Sequence, residues 1–119
     1  MDHEESIRYR ELFRSIRERR GMHGIPDGTV ASIAYVIGCD AATEYHLLDG
    51  FASWLNVRRG ESGNTSLSWF GELVRLVVGA EAASGSPYWK LAPADSAAVE
   101  TMLFETLDLF LEERDDLAR

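Results

Sequence analysis

The sequence predicts an all-α fold, an irregular bundle of about five helices with two polar, Gly-rich loops. Apolar residues recur at 3–4 spacing in separate segments, the period of a helix with one buried face. Clusters of Gly, Ser, Asn and Pro punctuate those segments. Nowhere do strand and helix patterns alternate as a parallel sheet requires. The 119 residues suit a single domain, 1–119. A chain of this size buries roughly two thirds of its unfolded surface, so it can fold without metal or disulfide staples.

The first helix is expected from about Glu4 to Arg20. Tyr9, Leu12, Phe13 and Ile16 form its stripe, and Gly21 follows as a stop. Residues 21–29 hold three Gly and one Pro and read as a loop. Thr29 is placed to cap a second helix reaching about Cys39, with Val30, Ile33, Ala34 and Ile37 as its buried face. Its β-branched content leaves a strand over 30–37 as the alternative.

Residues 40–43 read as a break or cap. A third helix is expected from Ala42 or Thr43 to Val57, with Leu47, Leu48, Phe51, Trp54 and Leu55 inward. Gly50 inside that helix would cost up to about 1 kcal/mol relative to Ala. Residues 58–65 are polar and Gly-rich, the stretch with the weakest tendency to order. Ser66 or Ser68 caps a fourth helix to Val78, apolar on more than one face and so central.

A second linker spans 79–92, broken by Gly85, Ser86 and Pro87. Its Tyr88, Trp89 and Leu91 are apolar enough to pack on the body. Pro93 and Asp95 suit the start of a fifth helix running to about Arg114. Val99, Leu103, Leu107, Phe110 and Leu111 face inward there, flanked by Met102 and Phe104.

Net charge is −8, from 20 acids against 12 bases. That surplus argues against nucleic acid as the ligand, because phosphate contacts need clustered Lys and Arg. The charge is uneven. Residues 1–20 carry six Arg against five acids, and residues 95–119 carry eight acids against two Arg. No basic-then-apolar leader opens the sequence, no segment approaches the roughly 20 apolar residues of a membrane span, and the one cysteine permits no intrachain disulfide. The expectation is a cytoplasmic protein.

Chemistry-bearing motifs are absent. His3, His23 and His46 match no metal-ligand spacing, and Cys39 has no cysteine partner. No phosphate-binding glycine motif and no nucleophile elbow occurs. A Cys39–His46 nucleophilic pair is conceivable, but a small buried thiol serves more simply as core. The expectation is no enzyme, no catalytic residue, no metal and no cofactor.

The six arginines of helix one could contact nucleic acid, or pair with acids on their own helix and on the last one. Trp54 and Trp69 fit core positions, whereas Trp89 in its loop suits an interface equally well. The last helix is the best functional candidate. Glu105, Asp108, Glu112, Glu113, Asp115 and Asp116 would present a negative surface, either for solubility or to dock a basic protein.

The order of features also resembles a known group. Arg19-Arg20-Gly21-Met22 is a variant of an R-P-G-M-Y turn. A helix containing Gly38 follows, then Leu48-Asp49-Gly50-Phe51-Ala52-Ser53-Trp54-Leu55. Next come Ser68-Trp69-Phe70-Gly71-Glu72-Leu73-Val74 and Phe104-Glu105-Thr106-Leu107-Asp108-Leu109-Phe110. Over about residues 9–113 this is similar to small bacterial proteins that look like immunity proteins of polymorphic-toxin systems. Here no Pro follows Arg20, and His23 stands where an aromatic is usual. With the small size, net charge −8 and missing catalytic motifs, the resemblance leads to the expectation of a protein that neutralises a cognate protein toxin or binds another basic protein, as a monomer or homodimer. Read from the charge and aromatic patterns, Trp89 and the six acids are the expected partner-binding residues. The alternative is a regulatory or adaptor domain without a toxin partner.

Overall fold

The computed structural model describes residues 1–84 and 87–118. Helices follow one another along the chain: α1 (His3–Glu18), α2 (Thr29–Ala42), α3 (Phe51–Arg58), α4 (Trp69–Val78), the single turn α5 (Ala80–Ala83) and α6 (Pro93–Ala118). Short 3₁₀ turns occupy Arg20–His23 and Tyr88–Lys90. No strand occurs among the described residues, so the all-α expectation holds. Gly85 and Ser86, expected as breakers, lie outside the described residues.

The 26 residues of α6 make a rod of about 39 Å at 1.5 Å per residue. Val99, Leu103, Leu107, Phe110 and Leu111 line one buried face of it, as their spacing predicts. α1 runs antiparallel beside α6, and α4 packs against α3 and α6. One cluster of apolar side chains joins all five longer helices, with Phe51, Leu55, Leu73, Leu103 and Leu107 fully enclosed. Ser68 caps α4 as expected, its hydroxyl accepting from the Gly71 amide at 3.2 Å.

Two expectations are corrected. The first concerns the third helix, which begins at Phe51 rather than at residue 42 or 43. The amides of Leu47 and Leu48 are taken by side chains, donating to the Thr43 hydroxyl at 3.0 Å and to the Asp40 carboxylate at 3.0 Å. Arg114 then donates to the carbonyls of His46 and Leu47 at 3.1 and 2.8 Å. With its polar backbone satisfied this way, the segment forms a turn while Leu47 and Leu48 still enter the core. Gly50 is therefore not inside a helix. It precedes α3 at φ +86°, a conformation that favours glycine.

The second correction concerns the face of α2. Val30, Ala34 and Ile37, expected inside, point outward; Val30 is 51% exposed and Ile37 36%. The buried face is Thr29, Ser32, Ile33 and Val36. Polar partners decide the choice. Arg20 donates to the Ser32 hydroxyl at 2.9 Å and is paired with Glu100, whose other oxygen accepts from the Gly28 amide at 3.0 Å. The Thr29 hydroxyl meets Ser96 on α6. Turning the more apolar stripe inward would take Ser32 from the part-buried Arg20 and Thr29 from Ser96, and a polar group left without its partner away from water costs more than an exposed Val or Ile.

Candidate protein-interaction surface

Most of the six acidic residues expected to meet a partner are engaged within the chain. Arg10 lies 3.1 Å from Asp108 and 3.4 Å from Glu112, Arg14 lies 3.4 Å from Asp108, and Arg17 lies 3.4 Å from Glu105. The α6 partner number falls as the α1 number rises, so the ladder follows from the antiparallel pairing of the two helices. Glu113 accepts from the indole N–H of Trp54. Asp115 is a correction to the expected outward set. It is 9% exposed, accepts from the Ser6 hydroxyl at 2.9 Å and stands 3.8 Å from His3. Asp116 is exposed. Arg10, Arg14 and Arg17 of α1 thus pair with the last helix, and the joint surface is a seam of opposite charges.

The conceivable Cys39–His46 pair is not assembled. Burial pushes the Cys39 thiol up to about 11, against the opposing effect of its hydrogen bond with Tyr35, so it stays protonated near neutrality. His46 instead directs Nδ1 to the Thr43 carbonyl at 2.9 Å. It shares a cleft with His3, Asp49, Arg114 and Asp115. Among the described residues no group of three or more His, Cys, Asp or Glu is arranged to hold a metal ion. Nor is any helix there long and apolar enough to cross a membrane.

Charge chemistry inside the bundle centres on Glu72, which sequence reasoning did not single out. This carboxylate is 0% exposed. It receives Thr65 Oγ1 at 2.7 Å, Asn56 Nδ2 at 3.1 Å and Arg59 Nε at 3.1 Å. Burial pushes its pKa up, and the hydrogen bonds from Thr65, Arg59 and Asn56, with the Arg59 charge, outweigh that and hold it below the ordinary value of 4.5. The same cluster pins the 59–67 loop, because Asn56 also accepts the Gly63 amide at 2.7 Å. That loop was expected to be the least ordered stretch. A buried carboxylate with no local sequence motif organises it.

Trp89 is 59% exposed, so of the loop's apolar residues it does not pack down on the body as expected. Rings in succession lead to it from the core. Phe110 and Phe51 centroids are 5.0 Å apart, Phe51 and Trp69 5.8 Å, Trp69 and Phe70 5.3 Å, Phe70 and Tyr88 5.4 Å, and Tyr88 and Trp89 5.0 Å. Each pair lies in the range of favourable ring contacts. The outer rings border a groove of about 350 Å³ between α4 and the 87–89 segment, whose other walls include Leu67, Val74 and Arg75. Trp89 is thus an exposed ring whose inner neighbours are held by the core.

An uncharged surface lies on α2. Val30, Ala34, Ile37, Gly38 and Ala41 share one arc of the helix and all are exposed. The exposed Tyr45 follows in the turn, where Glu44 and Tyr45 hold φ of 56° and 65°. No charged residue interrupts that arc, unlike the outer faces of α1 and α6. The chain matches no protein-family model, no curated protein and no solved structure in such comparisons.

Proposed function

We propose that this chain is a binding protein of the immunity type, which holds a cognate toxin inactive by docking on it and performs no turnover of its own. The observation that carries the reading is Trp89, an exposed indole backed by a packed series of rings. Large aromatic side chains held in place before contact lose little freedom on binding and dominate interface energies. The resemblance to immunity-type proteins supports the same reading. Net charge −8 adds long-range attraction toward a basic partner. Asp116 and the outer edges of Glu105 and Glu112 contribute to approach, while apolar contact supplies the hold. Co-expression with the products of adjacent genes tests this. A toxic neighbour should be neutralised and should copurify, and Trp89→Ala should weaken the complex by about tenfold or more. The reading fails where no neighbour is toxic alone and none copurifies.

The uncharged arc of α2 favours one further reading, an adaptor-like homodimer. Two copies of an acidic protein meet most easily on a face that brings no charge, and Val30, Ala34, Ile37 and Ala41 offer one. Light scattering at increasing concentration separates the readings. A dimer that Ile37→Glu dissociates, with no toxic neighbour, replaces the toxin proposal.

A further inference from the structure

The groove beside Trp89 has one charged side chain in its lining, Arg75. Its other walls are apolar, aromatic or small: Phe70, Val74, Pro87, Tyr88 and Trp89 among them. Arg75 is half-buried on α4 and, among the described residues, takes part in no ion pair. Acids are not scarce, since the chain has 20 against 12 bases, and Arg10, Arg14, Arg17, Arg20 and Arg59 each stand within 4 Å of one. Glu72, one turn earlier on α4, is occupied by Arg59, Asn56 and Thr65. A guanidinium partly withdrawn from water among rings, with no anion paired to it among the described residues, is electrostatically incomplete. It is also a fork suited to a carboxylate, in a site free of competing acids.

We propose that this groove binds an extended segment of the partner protein in which an Asp or Glu is flanked by apolar residues. The carboxylate pairs with Arg75, and the flanking side chains lie on Tyr88, Trp89 and Phe70. This rests on the protein-binding reading above and specifies the partner's chemistry at the Trp89 surface. Charge complementarity selects the occupant: net charge steers a basic partner to the molecule as a whole, while this one groove accepts an acidic side chain. An open groove of about 350 Å³ admits a few side chains of a passing chain. Trp, Tyr and Arg together are the residue types that concentrate binding energy at protein interfaces.

Panning the full chain against a displayed library of random nonapeptides tests the assignment. The selected sequences should share an Asp or Glu at one position with Leu, Phe, Pro or Trp beside it. A fluorescein-labelled selected peptide should lose about tenfold in affinity on Arg75→Ala, on Trp89→Ala, and on changing its own acid to the amide. The peptide's acid-to-amide change should cost nothing further against Arg75→Ala, and Arg75→Lys should recover part of the loss. Both positions are at the surface, so unchanged circular dichroism and melting temperature keep a loss attributable to contact. The proposal is overturned if no acid is selected, if Arg75→Ala leaves the selected peptides bound, or if dodecanoate binds at Arg75 and no peptide does. A toxin complex formed undiminished by both Arg75→Ala and Trp89→Ala overturns the groove assignment while leaving the protein-binding reading standing. Selected acidic peptides with no toxic neighbour do the reverse.

Discussion

One turn of α4 separates Glu72 from Arg75, and the two side chains meet opposite fates. Glu72 is withdrawn from water and surrounded by three donor side chains. Arg75 lines a largely apolar groove and, among the described residues, forms no ion pair. The same division runs through the molecule. The α1–α6 seam settles its charges internally, through Arg10, Arg14 and Arg17, whereas the α2 arc and the Trp89 groove leave apolar atoms and one cation unsettled. Charge density in the sequence therefore marks where the bundle is stitched together. On the reading proposed above, the surface for a partner lies where charge is sparse.

The inner side of the contrast breaks most sharply at Glu72. Glu72→Ala leaves Arg59 without its buried partner and strands Asn56 and Thr65, and should cost about 3–5 kcal/mol, measured by urea unfolding. The pH dependence carries a definite sign. The folded carboxyl has a pKa below its unfolded value, so its stabilisation is fully present above about 4.5 and is lost as pH falls through the lower folded value. Glu72→Gln should flatten the stability profile in that acid window. An unchanged profile would mean that folding does not shift the Glu72 pKa.

Arg20 gives the next largest effect. It joins the turn after α1 to Glu100 on α6 and Ser32 on α2, and it lies over the Phe104 ring at 5.7 Å. Arg20→Ala should cost about 2 kcal/mol, since it leaves Glu100 half-buried with only the Gly28 amide and removes a packed stem. It should also loosen α2, read as faster amide exchange over residues 29–42. A loss confined to other helices would show that α2 is held by something else.

These two sites also explain how far the sequence could be read. α4 and α6 were legible because one strong apolar period coincides with ordinary caps, Ser68 and the Pro93 start. The pairing of α1 with α6 was legible because opposite charges repeat at helical spacing on both. The inward face of α2 was not, since Val30, Ala34 and Ile37 form a better apolar stripe than Thr29, Ser32, Ile33 and Val36. The winner is set by Arg20 and Glu100, distant in sequence. The start of α3 was hidden for the same reason, because Asp40 and Thr43 capture amides that helical periodicity assigns to the backbone. Trp89 could be flagged as a hydrophobic ring in a loop. Arg75 could not: in the sequence it is one cation interrupting an apolar run, and whether an acid faces it depends on the tertiary structure.

Exposed pairs in the seam should matter far less. Arg14 is more than half exposed and meets Asp108 at 3.4 Å. Arg14→Ala should change stability by no more than about 0.5 kcal/mol, and the small change should vanish in 1 M salt. A larger, salt-resistant loss would place the seam with the interior networks rather than with the surface.

Arg75 should have the smallest effect on folding. Arg75→Met keeps an unbranched stem in the groove wall and removes a half-buried charge that, among the described residues, forms no ion pair. The melting temperature should stay the same or rise slightly, within about 0.5 kcal/mol of the parent. The outcome bears directly on the comparison with Glu72. Natural proteins keep residues that fail to stabilise the fold where those residues serve binding. A guanidinium that is neutral or costly for the isolated chain, yet needed for the partner complex, is what separates a binding residue from a structural one. If Arg75→Met instead destabilises by more than about 1 kcal/mol, Arg75 supports the fold as Glu72 does, and the two sides of α4 no longer differ in kind.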